Sequence, residues 1–132
     1  MKHVLVVEDD AQNALLFRRI LEKRGGFRVS LSEDPAEILR IVDAGVDAVV
    51  MDVSLAHSYH QGKQVNGVDI CRMIKHHPLR AHVPVILATA HAMRGDAENL
   101  VAESGADDYA AKPIVDQEEF VEQVRALMRE AA

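Results

Sequence analysis

Five times along this chain, a short apolar run is followed by a segment whose apolar residues recur with helical spacing. The firm runs are Val4 to Val7, Ala48 to Met51 and Val83 to Leu87, with weaker ones at Phe27 to Leu31 and Tyr109 to Ala111. A strand with one wet face alternates apolar and polar residues, whereas an unbroken apolar run suits a strand covered on both faces, as in a parallel sheet. Between the runs, Leu16, Phe17, Ile20 and Leu21, then Ile38, Leu39 and Val42, then Ile70, Cys71 and Ile74 each line one helical face. Leu100 with Val101, and Phe120, Val121, Val124, Leu127 and Met128, continue the pattern. Asp34 before Pro35 reads as a helix start, and Gly25, Gly45 and Gly105 read as stops. Strand-helix alternation requires right-handed crossovers. The expectation is an α/β fold, a five-stranded parallel sheet with helices on both faces. The flavodoxin-like strand order 2-1-3-4-5 is favoured, but periodicity by itself does not separate it from other doubly wound orders.

The 132 residues suit one domain spanning 1–132, without an appended output domain. With 48% hydrophobic and 27% charged residues, the balance is that of a folded chain. A formal charge of −6 argues against gripping nucleic acid or an anionic membrane, both of which need clustered cations. The single cysteine, Cys71, cannot form an internal disulfide and reads as a small core residue. No charged leader precedes Val4, and no apolar run approaches the roughly 20 residues that span a bilayer. A cytoplasmic location is expected.

In a doubly wound sheet, ligands bind beyond the carboxyl ends of the strands. The first apolar run ends in Glu8-Asp9-Asp10, the third in Asp52, the fourth in Thr89 and the fifth in Lys112-Pro113. Asp10, before Ala11, is suited to cap the first helix. Carboxylates packed together repel one another unless a cation sits among them. Mg²⁺, or Mn²⁺, fits Glu8, Asp9 and Asp52, since such an ion accepts few carboxylates and leaves room for phosphate oxygens. Phosphoryl transfer needs an aligned nucleophile and positive or hydrogen-bonding groups around the equatorial oxygens. Asp52 would be that nucleophile, with the metal, the Lys112 ammonium and the Thr89 hydroxyl each taking an oxygen.

In the stretches VLVVEDD, AVVMD, PVILATA and GADDYAAKP the chain resembles the receiver domain of two-component response regulators over essentially its whole length. The resemblance implies a phosphoacceptor signalling domain that catalyses only its own phosphorylation and dephosphorylation. It makes Asp52 the phosphorylation site, and Glu8, Asp9, Asp52 and the Ser54 backbone carbonyl the metal ligands. Thr89 and Tyr109 become the switch residues, and the Lys112–Pro113 bond is expected to be cis. The implied partners are a histidine kinase or phosphotransfer protein and a separate downstream effector. Ser54 and His91, two positions after Asp52 and Thr89, are candidates for tuning the phosphoryl lifetime.

The chain also departs from the family. Receivers usually have proline four residues after the acceptor and a glycine about four later; here Ala56 stands at the first place and Gly67 serves as the second. An insertion of roughly seven polar residues therefore enlarges the loop at 56–67. It could cover the site, present a partner surface or be a tolerated floppy segment. Two rival functions remain: a receiver-like adaptor that ignores phosphorylation, and a Mg²⁺-dependent phosphatase with an aspartyl intermediate. The phosphatase would want a second acid where Ser54 stands. His57 and His60 lack the companions a transition-metal site needs.

Overall fold

The computed structural model describes residues 1–90 and 95–131. The elements run β1 (His3–Val7), α1 (Ala11–Lys23), β2 (Arg28–Ser32), α2 (Pro35–Gly45), β3 (Ala48–Asp52), β4 (Tyr59–His60), β5 (Lys63–Gln64), α3 (Gly67–Lys75), β6 (Val85–Thr89), α4 (Asp96–Ser104), β7 (Asp108–Ala111) and α5 (Gln117–Ala131). Five strands form one parallel sheet in the order β2-β1-β3-β6-β7, which is 2-1-3-4-5 once the small β4-β5 pair is set aside. The expected fold class and strand order are therefore both observed.

Successive strand residues point to opposite faces, so each central strand feeds two cores. On one face Val4, Val6, Val50, Ile86 and Ala88 meet Phe17, Ile20 and Leu21 of α1 and Phe120, Val121 and Val124 of α5. On the other, Leu5, Val7, Val49, Met51, Val85 and Leu87 meet Ile38 and Val42 of α2 and Ile70, Cys71 and Ile74 of α3. Leu100 and Val101 of α4 cover the same side. Burial pushes the Cys71 thiol up to about 11, as befits a core side chain.

Local chemistry sets the helix starts. Asp10 accepts from the N–H groups of Gln12 and Asn13 at 2.9 and 3.0 Å and opens α1. Asp34 caps α2 with Pro35 in its first turn, and Asn66 with Asp69 forms a reciprocal capping box on α3. Gly105, at φ 80°, ends α4 in the left-handed conformation.

One strand starts later than its apolar run suggests. Val83 donates to Arg80 O within the preceding turn, and Pro84 has no N–H for a ladder, so β6 begins at Val85. The 56–67 segment differs more. It carries an antiparallel hairpin, β4 with β5, turned by Gln61 and Gly62 at φ 52° and 81°. Positive φ at both central residues is the backbone that closes a two-residue hairpin without splaying its strands. No helix among the described residues is long and apolar enough to cross a membrane.

Candidate functional site

The sheet brings Glu8, Asp9, Asp52 and Lys112 to one edge although they are far apart in sequence. Glu8 follows β1, Asp52 ends the adjacent β3, and Lys112 follows β7. Glu8 and Asp52 are 7% and 2% exposed, so neither charge is relieved by water. Lys112 Nζ donates to Asp52 Oδ1 at 2.8 Å and to Glu8 Oε1 at 3.2 Å. A single ammonium thus links carboxylates from two strands. Burial works against the Lys112 charge, but the hydrogen bond and charge of Asp52, with Glu8 behind them, outweigh it and hold its pKa above the ordinary lysine value.

The carboxylates outnumber that cation. One oxygen each of Glu8, Asp9 and Asp52 lies within 4.8 Å of the other two. Glu8 Oε2 is enclosed and accepts no hydrogen bond among the described residues. Burial, followed by the neighbouring Asp52 carboxylate, pushes Glu8 up to about 7. Three carboxylates facing one ammonium leave negative charge uncompensated, and a small divalent ion is the species that would relieve it. An all-oxygen donor set with an orphaned, buried carboxylate oxygen fits Mg²⁺ or Mn²⁺.

The remaining candidates stand in different relations to this cluster. Thr89 is buried at the end of β6, opposite Ala111 in register, and its carbonyl accepts from Lys112 N at 2.9 Å. Ser54 is exposed, and its N–H points to Asp52 Oδ1 at a long 3.4 Å. Tyr109 is half-buried on β7, against the α2–α3–α4 core, and its carbonyl accepts from Gln123 Nε2 at 2.6 Å. No hydrogen bond joins it to the acidic cluster among the described residues. The Lys112–Pro113 peptide bond is cis. His91 lies outside the described residues.

Two further contributors, at the positions where the sequence was compared with the family's proline and glycine, act without side-chain chemistry. Gly67 packs against the main chain of Asp52, and a Cβ there would land on the Asp52 carbonyl oxygen. The N–H of Ala56 donates to Asp9 Oδ2 at 2.9 Å. A search for side-chain patterns passes over both, since one contributes empty space and the other a backbone amide.

The family model that this chain matches is that of a phosphoacceptor signalling module rather than a true enzyme. The model of the response regulator receiver domain matches residues 4–125, and the chain belongs to that family. It is 30% identical over 131 residues to the polar-differentiation response regulator DivK of Brucella anthropi, covering 98% of each chain. It also resembles the receiver domain of a sensor histidine kinase from Pseudomonas aeruginosa, with 29% identity, a TM-score of 0.79 and 97% and 98% of the two chains covered. That structure has a magnesium ion coordinated in its active site cleft. A putative response regulator from Chloroflexus aurantiacus superposes with a TM-score of 0.82 at 26% identity, covering 97% of this chain and 98% of the other.

Proposed function

We propose that Asp52 accepts a phosphoryl group from a phosphohistidine of a histidine kinase or phosphotransfer protein, and that the phosphorylated chain signals through altered binding to a separate effector. The observation that carries this reading is the Lys112 ammonium, 2.8 Å from Asp52 and 3.2 Å from Glu8, inside a cluster of three carboxylates.

Asp52 needs no general base, because its ionised carboxylate is already the nucleophile. One of its oxygens bonds to phosphorus as the P–N bond of the donor breaks, and the electron pair leaves on the imidazole nitrogen. Lys112 stays charged and lies beside the attacking oxygen, where positive charge stabilises the transferring group. Mg²⁺ or Mn²⁺, held by Glu8, Asp9, Asp52 and the Ser54 carbonyl, would neutralise charge shared between the carboxylates and the incoming phosphoryl oxygens. The Thr89 hydroxyl is the neutral donor that turns toward the phosphoryl group, and Tyr109 follows it. Ser54 and His91 influence how water approaches the acyl phosphate.

Incubation with a small phosphodonor tests this reading. The native chain should gain one phosphoryl mass with Mg²⁺ present and none after chelation, and Asp52→Asn should gain none in either case. A mass gain in Asp52→Asn would move the site elsewhere. Effector binding that is identical with and without phosphate would leave the adaptor reading in its place.

A further inference from the structure

Ala56 stands where receivers usually carry proline, and the exchange adds a donor at the edge of the site. Proline has no N–H to give. Ala56 has one, and it donates to Asp9 Oδ2 at 2.9 Å. This hydrogen bond joins the inserted segment to the acidic turn after β1. We propose that the insertion acts through Ala56 as a positioning element for Asp9, keeping its carboxylate within the cluster and ready for a divalent cation. The inference rests on the reading of Asp9 as a metal ligand.

The hydrogen bond and the cluster occur together. Asp9 accepts from Ala56 in the same arrangement that sets an oxygen of Glu8, Asp9 and Asp52 within 4.8 Å of one another. The bond therefore holds Asp9 in the cluster. Without it, Asp9 is the carboxylate with the most freedom to leave, because it is only half-buried while Glu8 and Asp52 are enclosed and share Lys112. Repulsion from those two would favour rotamers that turn Asp9 toward water.

An N–H can orient a carboxylate only if it is itself held, and Ala56 is. Leu55 beside it is buried in the core with α2 and α3. The Ala56 carbonyl accepts from Gln64 Nε2 at 2.9 Å, across the base of the hairpin. Ser58, 1% exposed, donates its hydroxyl to Glu33 O at 2.6 Å and so ties the hairpin to the β2–α2 connection. Val65 N donates to Ser58 O at 2.9 Å, and Gly67 N donates to Val53 O at 3.0 Å, closing the segment at its far end.

The sign of the effect follows from these contacts. A carboxylate that already has its bound orientation gives up less side-chain freedom when a cation arrives. One amide dipole offsets only a fraction of the Asp9 charge, so orientation dominates and the bond raises affinity.

Calorimetric titration with Mg²⁺ of the native chain, Ala56→Pro and Ala56→Gly tests the proposal, alongside the unfolding temperature of each without metal. Ala56→Pro should bind Mg²⁺ about three- to tenfold more weakly, while Ala56→Gly, which keeps the N–H, should stay within about twofold of native. Equal affinity of native and Ala56→Pro, or a Gly variant as weak as the Pro variant, overturns it. Should Ala56→Pro not fold, hydrogen exchange without metal decides. The Ala56 amide should be protected in the native chain and lose that protection in Asp9→Ala; equal exchange rates overturn the proposal. A native chain that binds no Mg²⁺ defeats the metal reading and this inference together, whereas native binding with no effect of proline defeats this inference alone.

Discussion

Residues 8–10, which join β1 to α1, and residues 53–66, which join β3 to α3, leave the same edge of the sheet from adjacent strands. The first connection is as short as its work allows. Glu8 and Asp9 face the cluster while Asp10 caps the helix; the end of β1 and the start of α1 set Glu8 and Asp10, and only Asp9 also accepts a hydrogen bond from the other connection, at Ala56. The second wanders into a hairpin and returns, and its order comes from distant anchors: Ser58 on Glu33, Leu55 and Val65 in the core, and Gly67 against Asp52. Short connections on rigid strands place chemical groups by covalent geometry. Long ones must be held by tertiary contacts, and that is where a chain acquires features of its own.

The contrast breaks most severely at Lys112, because one ammonium serves the carboxylates at the ends of both strands. In Lys112→Ala, Glu8 and Asp52 stay buried without their cation, and the rate of phosphoryl incorporation should fall about a hundred- to a thousandfold. Phosphodonor kinetics at saturating Mg²⁺ measure it. Next in size is Gly67→Ala, where the new Cβ would land on the Asp52 carbonyl oxygen and lie 3.0 Å from Val53 Cα. Both contacts are backbone and cannot yield like a side chain, so urea unfolding should show a loss of about 2 to 3 kcal/mol. A cost below about 0.5 kcal/mol would mean that the long connection is looser than described.

The helix caps sharpen the comparison, since one belongs to each connection. Asp10→Ala and Asn66→Ala should each cost about 1 kcal/mol in the same denaturation experiment. Similar values would show that both helices start by one local rule, whatever the length before them. The smallest expected effect is that of Ser58→Ala, about 0.5 kcal/mol in the denaturation midpoint. Its partner carbonyl belongs to exposed Glu33, so water can replace the lost hydroxyl.

What was legible in the sequence divides along the same line. Buried parallel strands read as unbroken apolar runs, so the sheet and the edge carrying Glu8, Asp9, Asp52, Thr89 and Lys112 could be inferred, whereas the observed strand order was favoured without periodicity being able to fix it. The start of β6 was two residues off, because Val83 donates back into the preceding turn and Pro84, although its carbonyl accepts from Val49 N at 2.9 Å, has no N–H to give. The hairpin stayed hidden for another reason. Its residues, Tyr59-His60-Gln61-Gly62-Lys63-Gln64, show no buried alternation, and Gln-Gly is a weaker turn signal than Asn-Gly or Asp-Gly. The Ala56–Asp9 bond was hidden more deeply, since a backbone amide looks the same at every residue except proline.

The central claim is that Asp52, among these acids and beside Lys112, is the residue that takes the phosphoryl group. Acyl phosphates are reduced by borohydride, which converts a phosphorylated aspartate to homoserine and leaves free carboxylates unchanged. Peptide mapping of the phosphorylated, reduced chain should find homoserine at position 52 and aspartate at positions 9 and 10. Homoserine at another position, with residue 52 still aspartate, would contradict the account.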